Sequence, residues 1–112
     1  MTEKEQAVFI RHIIESIEKI EQFSRGISKE SLKDDELRQY AIVRAIEIIG
    51  EAVKNLPISV TQKYRSIRWK DIAGTRDILI HAYFSVDLDL VWDIIKIYIP
   101  ELKQKIEKIL AT

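Results

Sequence analysis

Residues 37–55 read LRQYAIVRAIEIIGEAVKN, and this stretch settles the fold class. Ile42, Ile46, Ile49, Val53 and, just beyond, Leu56 recur at steps of three and four, the period of one face of an α-helix. A second stripe, Ala41, Ala45, Ile48 and Ala52, runs beside the first, leaving Tyr40, Arg44, Glu47, Glu51 and Lys54 as the polar face. Two stripes offer more apolar surface than one neighbouring helix covers, and a domain of this size buries only about two thirds of its chain surface. Pairing of two copies through the first and second helices is therefore expected.

Upstream, Ile10, Ile13, Ile14, Ile17 and Ile20 mark an amphipathic helix over residues 2–24, stopped by Arg25-Gly26-Ile27-Ser28. Residues 29–35 read as a polar connection, with Asp34 or Asp35 capping the helix that follows. Downstream, Asn55-Leu56-Pro57 ends that helix, because the residue before a proline is driven out of the helical region. Residues 57–68 form a linker with room for a short helix at 59–64. Residues 69–83 are expected to be a third helix despite Gly74, which costs about 1 kcal/mol against Ala and so calls for a packing reason such as close helix approach. Asp87 reads as the cap of a fourth helix with Leu88, Val91, Ile95 and Ile99 on one face. Pro100 interrupts it, and Leu102, Ile106 and Ile109 continue the period as a kinked extension or a fifth helix. The expectation is one all-α domain over residues 1–112, an up-and-down bundle of four or five helices.

Composition narrows the function classes. Of 112 residues, 46% are apolar and 32% charged, enough for a core and a solvated surface. Absence of Cys excludes disulfides and thiolate metal sites, and two His, His12 and His81, are too few for a multi-histidine metal cluster; no metal or cofactor is expected. Charges interrupt every apolar run of the N-terminal MTEKEQAVFIRHI, so it does not read as a signal peptide, and no run of about 18 apolar residues offers a membrane span. A cytoplasmic protein without a membrane partner follows as the expectation. The 18 basic and 18 acidic residues cancel, which at first sight disfavours nucleic acid. Counted by segment, residues 1–36 carry 6 basic and 9 acidic side chains, 37–83 carry 8 and 4, and 84–112 carry 4 and 5. Within the basic centre, Lys54, Lys63, Arg65, Arg68, Lys70 and Arg76 face only Asp71. This is either an ordinary solvated linker or a phosphate-binding surface.

Functional groups are densest in Arg76-Asp77-Ile78-Leu79-Ile80-His81-Ala82-Tyr83. On a continuous helix Arg76 and Tyr83 share a face, and so do Asp77 and His81. Arg76 and His81 stand about 140° apart. They can meet on one ligand only in a groove flanked by both, or where the helix loosens near its end. Asp77 could fix the tautomer of the imidazole. Arg beside His suits phosphoryl chemistry, one moving a proton near neutral pH and the other holding the charged phosphate. A lone histidine on a helix is otherwise a structural residue, which is how His12 reads among Ile10, Ile13 and Ile14.

Three stretches carry a family resemblance: residues 41–52 (AIVRAIEIIGEA), 69–84 (WKDIAGTRDILIHAYF) and 86–92 (VDLDLVW). The chain resembles the HepT-like toxins of the HEPN superfamily, whose signature of Arg, four residues, His, one residue and Tyr is matched without a gap by Arg76, His81 and Tyr83. The resemblance implies an all-helical homodimer with a composite site between protomers, acting as the toxin of a type II toxin–antitoxin pair. The implied activity is metal-independent endoribonuclease cleavage of RNA, with His81 as general base or acid and Arg76 as phosphate ligand. Asp77 would take the polar position after the Arg, and Arg44, Glu47 and Glu51 would line the cleft. It also implies a partner, a minimal nucleotidyltransferase antitoxin of the MntA type, which silences the toxin by placing AMP on Tyr83 and can build larger assemblies with it. The alternative within the same resemblance is a non-catalytic subunit that binds nucleotide or the nucleotidyltransferase.

Overall fold

The computed structural model describes residues 3–81 and 87–111, with side chains described over 4–75 and 87–111. The described residues are predominantly helical, and no strand occurs among them. Helix α1 spans Glu3–Ser24, and its stripe Ile10, Ile13, Ile17 and Ile20 is buried along its length. Gly26, at φ 77°, turns the chain away from the helix end in the left-handed region that side chains with a Cβ avoid.

The polar connection expected over 29–35 contains a helix, α2, Lys29–Lys33. Ser28 caps it, its hydroxyl accepting from the Ser31 N–H at 3.0 Å while the Ser31 hydroxyl accepts from the Ser28 N–H at 2.9 Å. A single apolar residue, Leu32, anchors the turn and is fully buried, and one anchor shows no period in the sequence.

Helix α3, Glu36–Lys54, begins where Asp35 accepts from the Arg38 N–H at 3.0 Å, and ends at Asn55 as expected. The bond to that N–H, reinforced by the Arg38 guanidinium, holds the Asp35 carboxyl below the usual carboxylate range. Ile42, Ile46, Ile49, Val53 and Leu56 are all buried, with Ala45 and Ala52 of the second stripe; Ile48 is exposed. The linker helix is α4, Ile58–Lys63, and α5 runs Trp69–His81.

Asp87 caps α6, Leu88–Asp93, accepting from the Leu90 N–H at 3.1 Å. Pro100 does not break the chain into separate helices. A π-helical segment, Ile94–Tyr98, joins α6 directly to α7, Ile99–Ala111. A proline ring collides with the carbonyl four residues back, here that of Lys96, and the wider π turn gives that carbonyl room.

In the bundle α1 packs along α3, α3 along α5, and the π segment with α7 closes on α1. Ile13, Ile17, Ile20, Ile42 and Ile106 sit at its centre with no exposed surface. Each isoleucine so buried contributes about 1.5–3 kcal/mol. Ion pairs tie the periphery: Lys29 to Asp89 at 2.7 Å links α2 to α6, and Lys103 to Glu21 at 3.0 Å links α7 to α1. The first pair raises the Lys29 ammonium and lowers the Asp89 carboxyl through their mutual hydrogen bond. No described helix is long and apolar enough to cross a membrane.

Candidate functional site

Helix α5 is held at its start. Trp69 is 7% exposed, and its indole N–H donates to the Tyr64 carbonyl at 3.0 Å, while Ile67 beneath it is buried. From this anchor the helix passes Ile72 and Ala73, packed on the core, to Arg76, Asp77 and His81. It is α-helical through His81, the last described residue of this stretch. Asp77 and His81 therefore stand about 40° apart and one turn along the axis, while Arg76 and His81 stand about 140° apart and roughly 7.5 Å along it. Tyr83 lies outside the described residues.

A groove of about 450 Å³ runs beside α5, between it, α3, the π segment and α7. Ile46, Ile49, Ile67, Ile72, Ile94 and Ile99 make its floor; Arg68, Lys70, Asp71, Glu101 and Lys105 stand on its rim, and Tyr98, 52% exposed, forms one wall. Its size and apolar lining with a few polar groups match small-ligand sites. Gly74 and Thr75, just before Arg76, continue the wall along α5. The packing reason expected for Gly74 is not close helix approach: among the described residues, no atom outside its own helix turn lies within 4 Å of where its Cβ would stand. It opens onto the groove instead. On the rim, Lys105 donates to Glu101 at 2.9 Å and to the Ser66 carbonyl at 2.6 Å, and that ammonium holds the Glu101 carboxyl below the usual range.

The α3 residues expected at the cleft between protomers do not line this groove within one chain. Arg44 and Glu47 pair at 3.3 Å, and Arg44 and Glu51 are exposed. Both lie about 140° or more round α3 from Ile46 and Ile49, the residues that face the groove. Within a single protomer the groove is thus lined from α3 by isoleucines, with the polar stripe on the outer side. Reading the sequence flagged Arg68 and Lys70 as part of a basic run, but not Tyr98 or Lys105. Tyr98 stands beside Ile99, off the apolar stripe of its helix, and nothing in the sequence marks it.

Comparison with known proteins adds a family assignment. A family model described as "Ribonuclease HepT-like" matches residues 13–109. A Thermococcus cleftensis protein named a probable ribonuclease HepT is 46% identical over 101 residues, covering 90% of this chain and 92% of that protein. A Caldanaerobacter subterraneus protein provisionally named an RNase is 43% identical over 102 residues, covering 91% of each. A Methanocaldococcus jannaschii protein, named as a gamma-glutamylcyclotransferase with a provisional RNase assignment, is 46% identical over 107 residues. The chain is covered to 96% in that match but spans only 48% of the longer relative. No solved structure matches the chain.

Proposed function

Because this chain belongs to the HepT-like ribonuclease family, we propose that it is the toxin of a toxin–antitoxin pair and cleaves RNA without a metal ion. The observation that supports this reading is that α5, the helix whose sequence carries Arg76, Asp77 and His81, lines an apolar groove with a charged rim along its preceding turns. His81 takes the proton from a ribose 2′-hydroxyl, whose oxygen attacks the adjacent phosphorus. The P–O5′ bond breaks, leaving a 2′,3′-cyclic phosphate and a 5′-hydroxyl once the departing oxygen is protonated. Arg76 binds the phosphate and stabilises the charge that builds on it. Asp77, one turn before His81, orients the imidazole. The reaction needs the attacking and leaving oxygens held in line, a positioning task suited to a cleft between two protomers.

A homodimer supplies that cleft. Leu37 is 80% exposed, Tyr40 70% and Ile48 37%, so the outer side of α3 carries apolar surface beside Arg44, Glu47 and Glu51. Pairing through this face and α1 covers it and brings the polar stripe of each chain into the interface. The proposed partner is a nucleotidyltransferase of the MntA type that places AMP on Tyr83, with larger assemblies of the two as a consequence. An added AMP competes with substrate phosphate for Arg76.

The test uses AMP-free purified protein and a synthetic single-stranded RNA. Cleavage to cyclic-phosphate ends is expected, falling by about 10²–10⁴-fold in His81→Ala and about 10²–10³-fold in Arg76→Ala with helicity unchanged. Full cleavage by His81→Ala defeats the mechanism, and an inert wild type that still binds the nucleotidyltransferase supports the non-catalytic alternative. Intact mass after co-expression with the nucleotidyltransferase should show added AMP that is absent in Tyr83→Phe.

A further inference from the structure

The basic run between α3 and α5 is the strongest feature that the reaction leaves unused. From residue 52 to residue 70 the chain carries Lys54, Lys63, Arg65, Arg68 and Lys70 and not one Asp or Glu. Lys63, Arg65, Arg68 and Lys70 are all exposed. Six cations elsewhere, Lys29, Lys33, Arg38, Arg44, Lys103 and Lys105, each lie within ion-pair distance of a carboxylate. Among the described residues, no such carboxylate meets Lys63, Arg65, Arg68 or Lys70. Glu101, the acid whose field reaches Arg68, is already hydrogen-bonded to Lys105.

Four like charges on one short crest repel one another, so the fold must hold them there. It does so from both sides. The Trp69 indole is bonded to the Tyr64 carbonyl, the Ile67 N–H donates to the same carbonyl at 3.2 Å, and Lys105 reaches across from α7 to the Ser66 carbonyl at 2.6 Å. Pinning the loop backbone in this way pre-organises the cations that it carries, which reduces the ordering cost of binding a polyanion. The crest also leads somewhere. Arg68 and Lys70 belong both to a hollow shared with Gln62 and Arg65 and to the rim of the apolar groove, and Lys70 precedes Arg76 by about 9 Å along α5.

We propose that Lys63, Arg65, Arg68 and Lys70 form the docking track on which single-stranded RNA lays its phosphates on the way to Arg76 and His81. This rests on the ribonuclease reading above and assigns where that substrate enters. An acidic protein would match the charge, but the track ends on the helix that carries the proposed phosphate ligand, and the groove beside it suits an unpaired base. A strand held here is unpaired, as in-line attack by its own 2′-hydroxyl demands.

The experiment measures binding of a fluorescent single-stranded RNA by His81→Ala protein over a range of salt concentrations, with and without Arg65→Gln, Arg68→Gln and Lys70→Gln together. For a single strand each lost phosphate contact flattens the plot of log affinity against log salt by about 0.7, so the triple variant should lose about 2 from the slope and bind at least tenfold more weakly. In the His81 protein the same triple change should raise KM and spare kcat. Neutralising Lys4, Lys19 and Lys108, exposed on α1 and α7, should leave the slope unchanged. An unaltered slope in the crest variant overturns the proposal, as does loss of nucleotidyltransferase binding with RNA affinity intact, which makes the crest a protein surface. Crest-dependent RNA binding by a wild type that never cleaves defeats the ribonuclease reading alone, whereas cleavage with crest-independent affinity defeats the track alone.

Discussion

Gly26 and Gly74 place opposite demands on the backbone, and substitution separates them. At φ 77° Gly26 occupies a region where a Cβ collides with the following carbonyl, so Gly26→Ala should lower the unfolding free energy by about 1–2 kcal/mol. Gly74 lies within α5 with open space where its Cβ would be, so Gly74→Ala should raise stability by about 1 kcal/mol. Urea unfolding of both variants checks the pair. The first demand was legible in the sequence, because a glycine just past an apolar period is a helix stop. The second was not: the same residue type inside a helix signals either close packing or a groove wall, and only the neighbouring helices distinguish them. Arg76, Asp77 and His81 were legible for a related reason, since spacing along one helix fixes their relative bearing. Where Arg44, Glu47 and Glu51 point relative to that trio depends on how α3 turns toward α5, which no spacing within α3 encodes.

At the scale of elements, long periodic helices were readable and short or irregular ones were not. The stripes of α1 and α3 repeat over several turns, so each further residue reinforces the assignment. Helix α2 rests on Leu32 and a reciprocal serine cap, two local features without repetition. Its importance is out of proportion to its length. Leu32 has no exposed surface, so Leu32→Ala should cost about 2–5 kcal/mol in denaturant unfolding, a core-sized loss from a five-residue helix. The π segment was hidden for another reason. Pro100 announces a conflict, but a kink, a break and a wider turn all resolve it, and the choice falls to whichever keeps both sides of the helix on the core. Here Val91 before the π segment, Ile94 and Ile95 within it and Ile99, Leu102 and Ile106 after it are all buried, and the π turn takes up the mismatch between the two flanking stretches.

For the whole molecule, the balanced total of 18 basic and 18 acidic side chains says little about function, because the charges are sorted in space. The acid-free run from residue 52 to 70 gathers on one crest, and acidic residues on α1, α2 and α6 balance it elsewhere. The proposed pairing through the outer side of α3 is testable at the same scale. Leu37→Glu together with Ile48→Glu should halve the mass measured by light scattering and abolish RNA cleavage, with the monomer still helical; an unchanged mass removes this face from the interface. The sequence by itself determined the helical class and the extent of α1 and α3, since these follow from the fixed period of a helix. Only the tertiary structure decided that α3 turns isoleucines toward α5, that a groove opens between α5 and α7, and that Lys105 joins the basic loop from 39 residues away. Those outcomes depend on packing between distant segments, and packing is a property of pairs of faces that no single stretch of chain carries.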